Sequence, residues 1–348
     1  MPFTSWIEKY KALRKQAYLN AINKYRLQYA FIGVGNHSIS NLYPCLQNLH
    51  VPLQHIYSRH LDHAKKLAVR FPGAQATDRI ADIMDNTAIK GVFICSHPSQ
   101  HYPLLQQALQ AGKHVFIEKP ACYTLAELKT LIPLQKDNVC LVALQRRSST
   151  ISQLLKRHHL IKKATSYQYR YCTGAYPEGD PLIELFIHPV DNLVQLFGPV
   201  QTLQVQKSSH NGVTYQILTR HMNGIQGIVE LSTQYSWNEA FETMEINGAN
   251  GIVHIQYPNM LSVWEKPAHI LGMPVEKIFP RPAIQKVYLN NRDFIPAEAN
   301  NSLVVQGFYP EIKHFLYLAE NNKKDDRGSL SSLIGTYEML EELKRSHP

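Results

Sequence analysis

The chain has 348 residues, 44% of them apolar and 18% charged, with a formal net charge of +9 and a pI near 9.1. That length accommodates two domains with their own cores, and the composition excludes a fibrous or disordered protein. The basic residues are scattered and form no long run, which favours a phosphate-bearing cofactor or substrate over nucleic acid.

In chain order, Trp6, Tyr10, Leu13 and Ala17 recur at roughly helical spacing in a basic segment. Residues 4–24 therefore read as an amphipathic helix, an N-terminal extension (1–26) expected to pack on the domain that follows. A regular alternation comes next. Tyr29 to Ile32 is a short buried strand, followed by a glycine turn and a helix face of Ile39, Leu42, Leu46 and Leu49. Leu53 to Tyr57 is a second strand, with Leu61, Ala64, Leu67, Ala68 and Phe71 marking a second helix. Val92 to Cys95, Val115 to Ile117 and Val139 to Leu144 are further strands, and the helix before Val115 stops at Gly112. Strands alternating with helices require crossover connections and hence parallel pairing. The fold class is α/β, with a doubly wound Rossmann domain over 27–147.

Beyond it, strand-like segments at 166–171, 200–206, 212–220, 224–233 and 251–257 are separated by turn residues. They predict an α+β domain (148–310) with a large, mostly antiparallel open sheet. Residues 267–300 are rich in proline and read as irregular. Two helices, 311–321 and about 329–345, close the chain and are expected to pack back on the body.

Gly33-Val34-Gly35-Asn36-His37-Ser38 lies between the first strand and its helix, a G-x-G-x-x-S turn. The first glycine permits the tight turn. The second lets backbone amides approach a pyrophosphate at the helix N-terminus, and Ser38 is small enough for close packing. In this strand–turn–helix context the pattern points to a dinucleotide. After the second strand, Ser58 stands where a carboxylate would hold a ribose 2′-hydroxyl, with Arg59 beside it. A hydroxyl and a guanidinium accept a 2′-phosphate, so NADP(H) is the expected cofactor, with NAD(H) possible; a solvated loop charge is the plainer reading of Arg59.

The stretch AGKHVFIEKPACYT (111–124) ends a buried strand in an acid, a lysine and a proline. Three segments, Ser96-His97-Pro98-Ser99-Gln100-His101, the run from Ala108 to Val115, and Glu118-Lys119-Pro120, together resemble the Gfo/Idh/MocA oxidoreductase family. The likeness runs from about residue 27 to the closing Tyr309-Pro310-Glu311-Ile312. It implies that Gly33, Gly35, Asn36, His37, Ser58, Arg59, Ser96, His97, His101, Glu118 and Lys119 meet the cofactor. Lys119 would then lie beside the reacting carbon, where an ammonium stabilises negative charge on the substrate oxygen.

The segment Pro181 to Asp191 resembles the family's D-x-G-x-H-x-x-D pattern, with Glu184 for the usual Asp and Phe186 for the usual Gly. If helical, its spacing brings Glu184, His188 and Asp191 together, and Pro189 restricts His188 to the helix start. The resemblance makes His188 the general base or acid, with Glu184 orienting it or binding substrate and Asp191 structural or touching substrate. Without that context His188 reads as a capping or core histidine. Arg146 and Arg147 either border the substrate or form a solvated hinge. Tyr167, Tyr169, Tyr171 and Tyr176 are sugar-site walls or plain sheet packing, Tyr171 being the candidate substrate contact.

The implied activity is NAD(P)-dependent hydride transfer to or from a secondary hydroxyl of a sugar, polyol or nucleotide sugar. Cofactor-recycling glycoside cleavage and non-catalytic dinucleotide sensing are the alternatives. A homodimer or homotetramer through the open sheet is implied by the resemblance alone. Five well-separated cysteines with no C-x-x-C pair, and no signal-peptide core or bilayer-length apolar run, make a cytoplasmic protein without membrane partner the expectation. The 17 histidines show no metal-ligand spacing.

Overall fold

The computed structural model describes residues 2–19, 25–249, 251–266, 269–280, 282–291 and 301–345. Strands β1 (Gln28–Ile32), β2 (Leu53–Tyr57), β3 (Gln75–Thr77), β4 (Ile89–Ile94), β5 (His114–Glu118) and β6 (Cys140–Ala143) form one parallel sheet in the order 3-2-1-4-5-6. Adjacent residues of each strand point to opposite faces, and both faces are apolar because helices cover both. On one side Tyr29, Phe31, Phe93 and Phe116 pack around Phe315, carried back by the C-terminal helix Phe308–Asn321. On the other, Ala30, Ile32, Val92, Ile94, Val115 and Ile117 belong to a core that runs on into the second domain.

The second sheet has eight strands in the order β16-β13-β12-β11-β7-β10-β9-β8. They are β7 (Ser166–Cys172), β8 (Val200–Ser208), β9 (Thr214–His221), β10 (Gln226–Ser232), β11 (Phe241–Gly248), β12 (Gly251–Gln256), β13 (Met260–Glu265) and β16 (Gln285–Asn290); β14 (His269–Ile270) and β15 (Met273–Pro274) make a separate ribbon. All its pairings are antiparallel except β7 with β10. Its inner face carries Tyr167, Tyr169, Val229, Leu231, Met244 and Ile246, covered by the helix Ile187–Phe197. Its outer face leaves Leu218, Ile228, Ile252 and Trp264 exposed within this chain.

Several elements differ from the sequence reading. The N-terminal helix is Pro2–Leu19, residues 20–24 lying outside the described residues. Trp6 and Leu13 are 66% and 69% exposed, and residues 5–16 are exposed throughout, so this helix does not pack its apolar side on the domain. The helix after β1 opens as a π-turn, Ser38–Leu42, which leaves Ile39 outside while Leu42, Leu46 and Leu49 are buried. The strands β3, β11, β13 and β16 escaped notice. Residues 285–290, read as irregular, pair with β13 as an edge strand.

Two buried contacts set the position of the second domain's helix. The Arg147 guanidinium, three residues beyond Leu144, grips Asp191 through two nitrogens, and Thr336 donates to the same carboxylate at 2.9 Å. The two side chains are 4% and 1% exposed. Removing one partner strands a charge in the interior, so Asp191→Ala should cost about 3–5 kcal/mol in urea unfolding. A loss under ~1 kcal/mol would show the pair to be dispensable.

The turn after β1 makes a second test. Gly33 has φ +116°, and a Cβ there would lie 1.9 Å from the Cys95 carbonyl oxygen, whereas a Cβ on Gly35 would meet nothing within 4 Å. Gly33→Ala should therefore lower the melting temperature sharply, with backbone strain alone worth about 1–3 kcal/mol. Gly35→Ala should leave it within a few degrees of wild type. Equal melting temperatures for the two variants would contradict this geometry.

Candidate functional site

Gly33, Ser58, Ser96, Lys119 and Arg146 each follow closely the C-terminal end of a strand of the first sheet, so one edge collects them. The order reverses between β1 and β4, the crevice where doubly wound sheets bind ligands. The turn is closed by Ser38, which is fully buried. The Gly35 amide donates to its hydroxyl at 3.0 Å, and the hydroxyl donates to the Gly35 carbonyl at 2.9 Å. Gly35's own amide is thus partly engaged, while the space beside its α-carbon is open and Asn36 is exposed.

His37 turns toward β5. Its Nδ1 faces the Asn41 amide nitrogen at 3.1 Å, which assigns the proton to Nε2, 3.2 Å from Glu118 Oε1. Glu118 is buried, and this approach is a close polar contact without hydrogen-bond geometry, since Oε1 has no hydrogen-bond partner among the described residues. Ser58 is buried and accepts from the His60 amide at 3.2 Å; Arg59 is exposed and makes no ion pair among the described residues.

Ser96 and His97 lie in the loop after β4. His97 is exposed and caps the short turn Pro98–Gln100, with Nδ1 2.9 Å from the Ser99 hydroxyl. His101 departs from the cofactor role expected of it. Its ring is buried, with Nδ1 2.8 Å from the Pro120 carbonyl and Nε2 3.0 Å from that of Ser96; the neutral ring donates to one of these acceptors, and backbone flanks both nitrogens. It rivets the β4 loop to the turn after Lys119. Lys113, in the same motif, is structural too, donating to the carbonyls of Asn86 and Ile89 at 2.7 and 2.9 Å.

The Lys119 ammonium donates to the main-chain carbonyl of Glu184 at 2.6 Å, joining the two domains. Burial is the chief reason its pKa is lowered, with the Glu118 and Glu184 carboxylates opposing and Arg146 reinforcing. Four residues on from Glu184, His188 occupies the second position of the helix Ile187–Phe197, followed by Pro189 in the first turn. It is 9% exposed, and its Nδ1 has no partner among the described residues. Burial pushes its pKa well below the usual histidine value, and the charges of Lys119, Arg146 and His37 push the same way. Lys119, His188, Arg146 and His37 are therefore brought together.

Glu184 does not orient His188. It ends the one-turn helix Pro181–Glu184, and Leu185-Phe186 separates it from the next helix. Its carboxylate instead accepts from the phenols of Tyr123 at 2.8 Å and Tyr176 at 3.2 Å. Phe186 adopts φ −77°, which needs no glycine, and packs its buried ring edge-on against Tyr171 and Tyr215. Asp191 and Arg147 bind each other, the arrangement of a structural pair. Arg146 pairs with Glu242 and lies 5.2 Å from the centre of the Tyr171 ring, while its buried Nη1 has no partner among the described residues. Tyr167 bonds Thr219 and His221, and Tyr169 donates to Glu242.

Tyr123 and Glu242 were missed in the sequence. Tyr123 stood four residues past Lys119, inside the stretch already singled out. Glu242 is an acid at an inward position of the alternating strand β11, next to buried Met244, and such a misplaced carboxylate is the signal that finds it. Glu311 is also buried; it accepts from the Leu144 amide at 3.0 Å, and burial together with the nearby Glu118 charge raises its pKa well above the ordinary value.

The residues present fit a dinucleotide: open space beside Gly35, an uncommitted Arg59, and buried unpartnered atoms on Glu118, Arg146 and His188 at the far end of the crevice. Among the described residues no group of three or more His, Cys, Asp or Glu could hold a metal ion, and no helix is long and apolar enough to cross a membrane.

Residues 27–145 match the model of the oxidoreductase family with an NAD-binding Rossmann fold. The uncharacterized oxidoreductase YhhX of Escherichia coli is 25% identical over 186 residues, 49% of this chain and 53% of that protein. The scyllo-inositol 2-dehydrogenase (NADP(+)) IolW of Bacillus subtilis is 25% identical over 179 residues, 46% of this chain and 50% of that one. In three such relatives the matched stretch spans 53%, 33% and 46% of their own length. Among solved structures, levoglucosan dehydrogenase in complex with NADH superposes with a TM-score of 0.76 at 17% identity, covering 92% of this chain and 96% of that one, so both domains share its fold. Over residues 27–145 the chain is therefore similar to the Gfo/Idh/MocA oxidoreductase family.

Proposed function

We propose that the chain is an NADP(H)-dependent oxidoreductase that transfers hydride between nicotinamide and a secondary hydroxyl, or the matching ketone, of a sugar, polyol or nucleotide sugar. The observation that carries this reading is the meeting of the Lys119 ammonium with His188 and Arg146 around buried, unpartnered polar atoms at the sheet's C-terminal edge. The names of the inositol and levoglucosan dehydrogenases support a polyhydroxylated substrate.

Bound in the crevice, the nicotinamide ring would supply the hydride acceptor or donor. His188, kept neutral by burial and by neighbouring cations, receives the hydroxyl proton in the oxidative direction. Lys119, already fixed by the Glu184 carbonyl, donates its remaining N–H groups to the oxygen on which charge develops. Arg146, its charge balanced by Glu242, offers Nη1 to a neighbouring substrate oxygen. Glu184, held by two tyrosines, forms a polar wall.

Lys119→Ala should lower kcat by about 10²-fold or more, the usual scale for losing such a donor; near-normal turnover would refute the mechanism. The pH profile follows from the same site. His188 is depressed below its ordinary 6.5, so the acid limb of kcat/KM should fall well under pH 6.5 and the rate stay level through neutrality. Lys119 is depressed from 10.5, so the alkaline limb should appear before pH 10.5. An acid limb at 6.5 or higher would remove His188 as the titrating base.

Cofactor preference is a separate test. With Ser58 in place of a carboxylate and Arg59 free, kcat/KM should favour NADP+ over NAD+ by about tenfold or more, the value of one charge-assisted hydrogen bond, and Arg59→Ala should abolish the preference. A wild-type preference for NAD+ would overturn the assignment.

A further inference from the structure

A groove of about 500 Å³ opens between the helix Thr150–Arg157, the C-terminal helix Phe308–Asn321 and the loop at Arg327. Neither the Gly33–Ser38 turn nor Lys119 nor His188 contributes to its lining. Four permanent cations do: Arg147, Lys156, Lys313 and Arg327. Glu320 is the one carboxylate among its described lining residues, and it is committed elsewhere. It accepts from the Leu27 amide at 3.0 Å, the Arg26 amide at 3.0 Å and the Tyr29 phenol at 3.1 Å.

Two of the cations are compensated. Asp191 neutralises Arg147, and Asp325 takes the Arg327 guanidinium at 2.9 and 3.0 Å. Asp325 also lies 3.0 Å from His314, whose pKa is lowered first by burial and then by Arg327, so that ring adds no charge near neutral pH. Lys156 and Lys313 remain, with no ion pair or hydrogen bond from either ammonium among the described residues. Lys156 is exposed, and its pKa is lowered first by partial desolvation and then by the like charges of Arg327 and Arg147, with Asp325 only partly opposing. An ammonium within the field of two guanidiniums is an unfavourable arrangement that a bound anion would relieve. Tyr25, Pro310 and Tyr317 add ring surface to the lining, the last two on the same helix as Lys313.

We propose that this groove is a second ligand site, distinct from the dinucleotide crevice. It takes a small phosphate-bearing molecule whose anionic group meets Lys156 and Lys313 and whose body lies on Tyr317 and Pro310. The volume suits a ligand of sugar-phosphate or mononucleotide size. Because the groove borders Arg147, its occupant sits one residue along the chain from Arg146 of the proposed active site.

Isothermal titration of the full chain with inorganic pyrophosphate, in the presence of saturating NADPH, tests this. One saturable site is expected, weakened at least tenfold in Lys156→Glu/Lys313→Glu while NADPH affinity is unchanged. Should the double variant fail to fold, Lys313→Glu alone, altered at an exposed position, must still weaken pyrophosphate several-fold. Absence of saturable binding, or equal affinity in wild type and variant, would overturn the site. Failure of NADPH to bind would count against the proposed function alone, since the lysine variants still report on the groove.

Discussion

The hydrogen bond from the Lys119 ammonium to the Glu184 carbonyl is the contact on which the candidate site depends. A lysine at the end of a buried strand loses water on every side, and only a nearby acceptor keeps its charged form tolerable. Here the acceptor is backbone of the other domain, and the carboxylates of Glu118 and Glu184 add to it. The charge is therefore bought with domain closure: separate the domains and the ammonium is left without its carbonyl. The same bond sets where the lysine stands relative to the helix that carries His188.

Around it, buried charge is handled by pairing. Arg147 meets Asp191, Arg146 meets Glu242, and Glu311, with no ion pair among the described residues, has its pKa raised by burial. Such pairs are weak evidence for added stability, because desolvation offsets much of the attraction. They do fix position. The strand leading out of the first domain ends in Arg146 and Arg147, and its two guanidiniums grip different parts of the second, one the helix and one the sheet. Among the buried atoms without a partner in the described residues, those of Glu118, Arg146 and His188 belong to the cleft.

Much of the first domain was legible because its strands are continuous apolar runs, the pattern a parallel sheet buried on both faces imposes. The three-residue strand β3, with only Thr77 buried, carries no such run. In the second domain, β11 hides an acid at an inward position, β13 buries Ser262 between Leu261 and Val263, and β16 is an edge strand whose side chains are mostly exposed, so alternation is blurred. Lys119 and His188 were found because short motifs fix them locally. The role of Glu184 was misjudged for a physical reason: helical spacing assumed an unbroken helix, whereas Leu185-Phe186 interrupts it and rotates the carboxylate toward Tyr123 and Tyr176. His101 was misjudged because a motif records that a residue recurs beside a cofactor and not whether its ring nitrogens are already taken.

The loop before that short helix passes so close to Glu184 that a Cβ on Gly179 would sit 2.3 Å from a carboxylate oxygen. The carboxylate cannot swing aside without abandoning both phenols. A methyl group at position 179, though the residue is exposed, would therefore push that carboxylate off its two phenols and disturb the wall of the cleft from outside. Variation in what the cleft admits has to come from the tyrosines or from the acid, since the loop's own thickness is already at its minimum.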